Sequence, residues 1–228
     1  MNLVHVLVEG QTEEAFLARV IRPHLWRLGV HVVPKLVVTR RVPAGPDHKG
    51  GVTSWAQIER DVRLLLGDSS AAAVTTHIDY YGLPADVPGM STRPSGSPFV
   101  RVRHVEAAIA SQVAHHRFRA HLALHEFEAI LYSAPEICGD YLAAPLLEGA
   151  MRRALGAAGE PELVNDDPAS APSKRILAAC PTYSKTLDGP ALAERVGLVR
   201  MRAACPHFNG WIDWLESLGP AVGEGTVA

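Results

Sequence analysis

Acidic residues follow three short apolar runs in this chain. Glu9 follows Leu3–Val8, Asp79 follows Ala71–Ile78, and Glu126 and Glu128 follow Arg119–Leu124. Runs of this length, bounded by turn residues, read as buried strands. Carboxylates brought by several strands to one sheet edge repel one another unless a cation or protons intervene. Hard oxygen donors suit Mg²⁺ or Mn²⁺, and Mg²⁺ is usually held by one or two carboxylates together with substrate phosphates. An ion so placed orients a nucleophile and neutralises developing charge, which is the arrangement for phosphodiester chemistry. The plainer alternative is that each acid caps a turn or helix beside its strand.

Other constellations point to less. His125-Glu126 starts like HExxH, but Ala129 stands where the second histidine belongs, so a zincin is excluded. His115, His116 and His121 match no standard ligand spacing and read as surface histidines. Tyr80 and Tyr81 read as loop or packing residues. Trp211 and Trp214 read as core packing, as do Cys138, Cys180 and Cys205, which are small hydrophobes outside any CxxC pair. Lys49-Gly50 lies in a Gly- and Pro-rich stretch, Arg41–Thr53, without the spacing of a phosphate-cradling loop.

Composition narrows the classes. At 228 residues the chain can bury a core without staples, and 47% apolar with 20% charged residues excludes wholesale disorder. No apolar run approaches the length of a membrane span, and no signal-peptide layout opens the chain. Three scattered cysteines fit a reducing cytoplasm. The net charge of −2 argues against coating nucleic acid by charge alone. Even so, five arginines and one acid lie between Arg93 and His125, a stretch that could meet phosphates or simply face solvent.

The elements that must position the acids alternate. A strand at Leu3–Val8 leads to a helix with Thr12 as N-cap and Glu13 and Glu14 in its first turn, where the helix dipole favours them. Pro23 kinks or divides that helix, and Gly29 closes it. A second strand is expected at Val30–Thr39, then a helix opened by the capping box Ser54–Gln57. Ala71–Ile78 is the third strand. Gly82–Ser97, with its prolines and glycines, reads as a long mobile loop. A helix through Val105, Ile109 and Val113 precedes the fourth strand, Arg119–Leu124. Alternation of this kind implies parallel strands with right-handed crossovers, and ligands then bind beyond the carboxyl ends of the strands. From about Tyr141 the pattern is helical and broken by prolines.

Val8–Glu13, Asp79–Gly82, His125–Ala129, Ala171–Arg175, Leu187–Pro190 and Cys205–Phe208 with Trp211 form an ordered series along nearly the whole chain. The series resembles the Toprim-like family known as domain of unknown function 4276, related to the Toprim domains of overcoming-lysogeny-defect nucleases. That resemblance implies an α/β fold: a Toprim-like Rossmannoid with a mostly parallel sheet flanked by helices and a helical C-terminal elaboration. The expected division is a core over 1–140, the elaboration packed on it over 141–222, and a frayed tail over 223–228.

In Toprim domains a glutamate after the first strand and an Asp-x-Asp pair after a later one bind Mg²⁺. Glu9 resembles that glutamate, as metal ligand or general base, and Asp79 resembles the first aspartate. Tyr81 stands where the second is expected, which puts a two-metal mechanism in doubt and leaves Glu126 or Glu128 as supplementary ligands. Lys174, beside Arg175, fits an electrostatic stabiliser of transition-state charge, or else a surface lysine at a helix start. The resemblance further implies a Mg²⁺- or Mn²⁺-dependent nuclease of prokaryotic anti-phage defence, cytoplasmic, acting on nucleic acid and working with an ATPase partner. The alternative is a catalytically silent module that binds and regulates an ATPase or nucleic acid.

Overall fold

The computed structural model describes residues 1–37, 52–124, 126–164 and 171–220. Strand β1 (Asn2–Val8) buries Val4, Val6 and Val8 in one core and Leu7 in another, so both of its faces are covered. Helix α1 (Gln11–Phe16) follows, with Gly10 rather than Thr12 as N-cap. Thr12 is buried inside the helix. Over Leu17–Ile21 the helix widens to π geometry, and the Arg22 N–H bonds to Leu17 O, five residues back. Pro23, in the continuing helix α2 (Arg22–Trp26), has no N–H to donate, and the wider turn accommodates the missing bond. Gly29 closes the segment at φ +76, where a Cβ would lie 2.6 Å from Pro220.

Strand β2 (Val30–Leu36) pairs parallel with β1 at the sheet edge, where Pro34 is tolerated. The expected continuation to Thr39 falls partly outside the described residues, as does most of Arg41–Thr53. Helix α3 (Trp55–Leu66) opens at Ser54, but the Ser54 side chain makes no capping bond. Asp86 accepts the Trp55 N–H at 3.0 Å instead, and Gln57 turns back to the Thr53 N–H at 3.1 Å. Strand β3 (Ala71–Asp79) pairs parallel with β1. The segment 82–97 runs through consecutive hydrogen-bonded turns, with Leu83 and Val87 buried in the core rather than projecting as a free loop.

Helix α4 (Pro98–Val113) leads to the fourth position in the sheet. The single strand expected there is split into β4 (Phe118–Arg119) and β5 (Leu122–Ala123), both parallel to β3. Between them the Thr76 hydroxyl replaces the backbone ladder. It donates to His121 O at 2.7 Å and accepts the His121 N–H at 3.0 Å.

The strand order is β2-β1-β3-β4, all parallel. From β1 the chain first steps outward to β2, then returns past β1 to build β3 and β4. Right-handed crossovers therefore place α1 and α2 on one face and α3 and α4 on the other. Val4, Val6 and Val8 pack with α1 and α2, whereas Leu7, Val74 and Ile78 pack with α3 and α4.

After Glu126 the chain is helical. A 3-10 segment, Phe127–Ser133, leads to α5 (Pro135–Tyr141), α6 (Pro145–Ala158) and a short 3-10 turn at Pro161–Leu163. Then come α7 (Pro172–Ala179), α8 (Lys185–Val196), α9 (Leu198–Ala204) and α10 (Pro206–Ser217). These helices share the core of α1 and α2, where Trp211 is 1% exposed. Among the described residues no helix is long and apolar enough to cross a membrane.

Candidate active site

The strand order reverses between β1 and β3, and open parallel sheets bind ligands beyond the carboxyl ends of the strands at such a point. Glu9 follows β1 directly, and Asp79 is the last residue of β3. The two carboxylates named first from the sequence therefore come together at the switch point. The backbone of Val52 and of Asp79 lies near enough to the Glu9 carboxylate to favour its charged form. Asp79 Oδ1 accepts the Phe127 N–H at 3.1 Å, which ties the start of the 3-10 segment to the end of β3.

Of the pair contributed by the next segment, Glu128 points inward. It is fully buried, with Oε1 accepting from the Tyr183 hydroxyl at 3.2 Å. Glu126 turns aside: its Oε2 accepts the Ser173 N–H at 3.1 Å, in the first turn of α7. One glutamate thus belongs to the cluster while the other holds a helix start, as the plainer sequence reading allowed. His125 lies outside the described residues.

Two groups in the site were not singled out from the sequence. Lys185 opens α8 and reaches Glu128 Oε2 at 3.2 Å and Asp79 Oδ2 at 3.7 Å. Lys174 is exposed on α7. Among the described residues, Lys185 is the cation whose ion pairs reach Asp79 and Glu128. Its sequence signal was its place just before Leu187-Asp188-Gly189-Pro190. Within that motif Asp188 caps α8 by accepting the Ser184 N–H at 2.7 Å. Gly189 lets α8 close on its neighbours, because a Cβ there would lie 3.1 Å from both Phe127 and the Tyr183 hydroxyl. The other group is Glu13, buried in the first turn of α1 and near enough to raise the pKa values of Glu9 and Asp79.

The electrostatics follow from crowding in a poorly solvated place. Burial raises the Glu9 pKa, with Glu13 adding to it and Lys185 opposing it. The Asp79 pKa is raised well above the ordinary aspartate range by burial; Lys185 opposes this, while Glu13, Glu9 and Glu128 reinforce it. Glu128 is also raised, by burial first. Burial pulls the Lys185 ammonium down, but Asp79, Glu128 and Glu13 outweigh it and the net shift is upward. Among the described residues the cluster therefore holds an excess of carboxylates over cations, which is the condition that favours uptake of a divalent ion or of protons.

His77 sits two residues before Asp79 on β3, with its ring 2% exposed and stacked on Trp211 and His121 at centroid distances of 5.0 and 5.4 Å. His121, expected at the surface, is also 2% exposed. It lies between the two short strands, where the sequence led us to expect one continuous strand. Tyr80 is buried, its hydroxyl accepting from Arg93 at 3.3 Å, while Tyr81 is half-buried.

No curated protein matches this chain. Two solved structures of the C-terminal region of the Xanthomonas campestris pv. campestris OLD protein, phased with iodine and with mercury, are similar to it. They share 19% and 18% identity, cover 92% of this chain and 96% of their own, and give TM-scores of 0.35 and 0.37. Likeness of that degree does not bear on this chain's activity. The family model described as "Domain of unknown function (DUF4276)" matches residues 8–216, and the chain belongs to that family.

Proposed function

We propose that the crevice beyond β1 and β3 binds Mg²⁺ or Mn²⁺ and hydrolyses a phosphodiester bond of a nucleic acid. The observation that carries this reading is the meeting of Glu9 and Asp79 at the switch point, both with raised pKa values. Glu9 and Asp79 fit as ligands with Glu128 supplementary, and Glu126 could join them only by releasing the Ser173 N–H. The fit rests on the donor set, which is all carboxylate oxygen and short of positive charge. A bound ion would supply charge neutralisation for the phosphoryl group and orientation of the attacking water.

The chain's own groups would do the rest. The Glu9 carboxylate takes the proton of the attacking water. Lys185, anchored on Glu128, directs positive charge toward the crevice and stabilises the developing charge on phosphorus oxygens. Lys174 is retained as a second cation for a polyanionic substrate approaching along α7. We further propose 1–140 as the unit bearing the acids and 141–222 as an elaboration whose Lys185 completes the site. A cytoplasmic role in prokaryotic anti-phage defence beside an ATPase partner is proposed on the family resemblance alone.

Two observations favour a silent regulatory module instead. Tyr81 supplies no second aspartate, and Lys185 already neutralises part of the cluster. Incubation of the full chain with DNA and RNA in Mg²⁺ and in Mn²⁺, with and without chelator, separates the two readings. Chelator-sensitive cleavage that Asp79→Ala and Glu9→Gln abolish is expected. Absence of cleavage, together with a melting temperature indifferent to both ions, would favour the silent module.

A further inference from the structure

Beside Trp211, three residues remote in sequence converge. Glu106 comes from the middle of α4, His121 from the break between β4 and β5, and His207 from the first turn of α10. Their ligating atoms all lie within 4.8 Å of one another. His207 Nε2 is 3.0 Å from Glu106 Oε1, and His121 Nδ1 is 3.6 Å from the same oxygen. A tetrahedral ion with ligand bonds of roughly 2.0–2.1 Å sets its ligands about 3.3–3.4 Å apart, so the two spacings to Glu106 need little adjustment and the rings need at most to close on each other.

We propose that Glu106, His121 and His207 form a binding site for a divalent transition ion such as Zn²⁺, joining α10 to the sheet and α4. Two imidazoles and one carboxylate form a donor set of intermediate hardness, which suits Zn²⁺ better than Mg²⁺. The all-oxygen cluster at Asp79 has the opposite preference. His121 is 2% exposed, and its Nδ1 faces Glu106 Oε1 from 3.6 Å, longer than a hydrogen bond.

The surroundings hold the three groups in place before any ion arrives, as outer-sphere contacts do in metal sites. Thr76 holds the backbone of His121 at both N–H and carbonyl. The His121 ring stacks on Trp211, with centroids 4.5 Å apart and planes 7° apart, and on His207 at 5.1 Å. Glu162 fixes the start of α10 by accepting the His207 and Phe208 N–H groups at 2.8 and 2.9 Å. Glu106 Oε1 additionally accepts the Leu122 N–H at 2.8 Å, which keeps its carboxylate facing the two rings.

The experiment titrates the full chain, stripped of metal and kept in excess Mg²⁺, with Zn²⁺ against a chromophoric chelator. The parent is expected to take up one Zn²⁺ per chain. Glu106→Gln, which keeps an oxygen for the Leu122 N–H, and His207→Gln should each bind Zn²⁺ at least ~100-fold more weakly, the upper end of what outer-sphere partners alone carry. Asp79→Asn should bind it as the parent does. Co²⁺ substitution of the parent gives a readout that needs no variant: an intense visible spectrum of mixed nitrogen and oxygen coordination is expected. No Zn²⁺ uptake by the parent, undiminished uptake by both ligand variants, loss of uptake in Asp79→Asn, or a weak all-oxygen octahedral Co²⁺ spectrum would each overturn the proposal. The Glu106–His207 hydrogen bond would then account for the cluster by itself.

Discussion

Glu128 and Lys185 form an ion pair whose ends lie in unlike surroundings: 3.2 Å separates Oε2 from Nζ, the carboxylate is fully buried, and the lysine side chain is 38% exposed. The pair joins the segment after β5 to the start of α8, so it fixes where the cation stands relative to Asp79. Removing one partner of a buried pair is costly because the other is left uncompensated.

Lys185→Ala should therefore destabilise the chain, by about 1–3 kcal/mol rather than the roughly 3–5 kcal/mol of a fully buried pair, because water already screens the lysine. Urea denaturation of the variant and of Lys185→Ala with Glu128→Gln measures the coupling. The double variant should recover part of the loss, since a neutral amide has no charge left to compensate. Equal stability of all three proteins would mean that the pair contributes nothing.

A pH dependence follows from the raised carboxylates. In the unfolded chain Asp79 and Glu9 titrate near their ordinary values of 3.8 and 4.5, while in the native state burial and mutual repulsion raise both. Between those limits the native state holds more protons than the unfolded one, so stability falls as pH rises. The contribution is fully present below the ordinary values and is lost as pH passes the raised ones. Asp79→Asn keeps an oxygen for the Phe127 N–H and removes the charge. It should flatten this decline and leave the metal-free protein level with the parent or more stable by about 1 kcal/mol at neutral pH. Melting temperature against pH, in chelator, is the measurement. A decline of unchanged slope in Asp79→Asn would contradict it.

Gly189→Ala tests the packing behind the lysine. The added methyl would meet Phe127 and the Tyr183 hydroxyl at 3.1 Å and Thr12 at 3.5 Å, and Tyr183 is the donor to Glu128. Overpacking of this kind should cost about 1–3 kcal/mol. It should also weaken Mn²⁺ binding at the carboxylates, through displacement of Tyr183. Calorimetric titration beside thermal melts would detect a variant that loses stability but keeps full Mn²⁺ affinity, which would disconnect the contact from the site.

Glu162 holds the other end of the helical half. Its two carboxylate oxygens take two N–H groups of the first turn of α10 from a position 2% exposed to solvent. Glu162→Ala should cost on the order of 2–3 kcal/mol, the scale of charge-assisted bonds lost from a buried cap. Glu162→Gln, able to accept only one of the two, should fall between it and the parent. Denaturant midpoints of the three proteins check the ranking.

Much of the frame was legible because it depends on local pattern. Short apolar runs ending in turn residues specified β1 and β3 to within a residue or two, and the alternation with helices specified parallel pairing. Glu9 and Asp79 could be named because an acid directly after a buried strand has few places to go except the sheet's carboxyl edge. The split of the fourth strand was not legible. It depends on the Thr76 hydroxyl intruding on the ladder, a contact between residues 45 positions apart.

Side-chain direction was decided by tertiary structure alone. Glu126 and Glu128 are two residues apart and equally acidic, yet one caps α7 and the other is buried against Tyr183 and Lys185. Lys174 and Lys185 each open a helix beside a proline- or serine-rich turn, and only packing of α8 against α1 brings Lys185 to the carboxylates. His121 read as a surface residue because its spacing from His115 and His116 matches no ligand site, whereas α10 covers it with Trp211. Chain pattern fixes which residues an element can offer to the core. Long-range burial and charge compensation, invisible to local spacing, determine which of them meet.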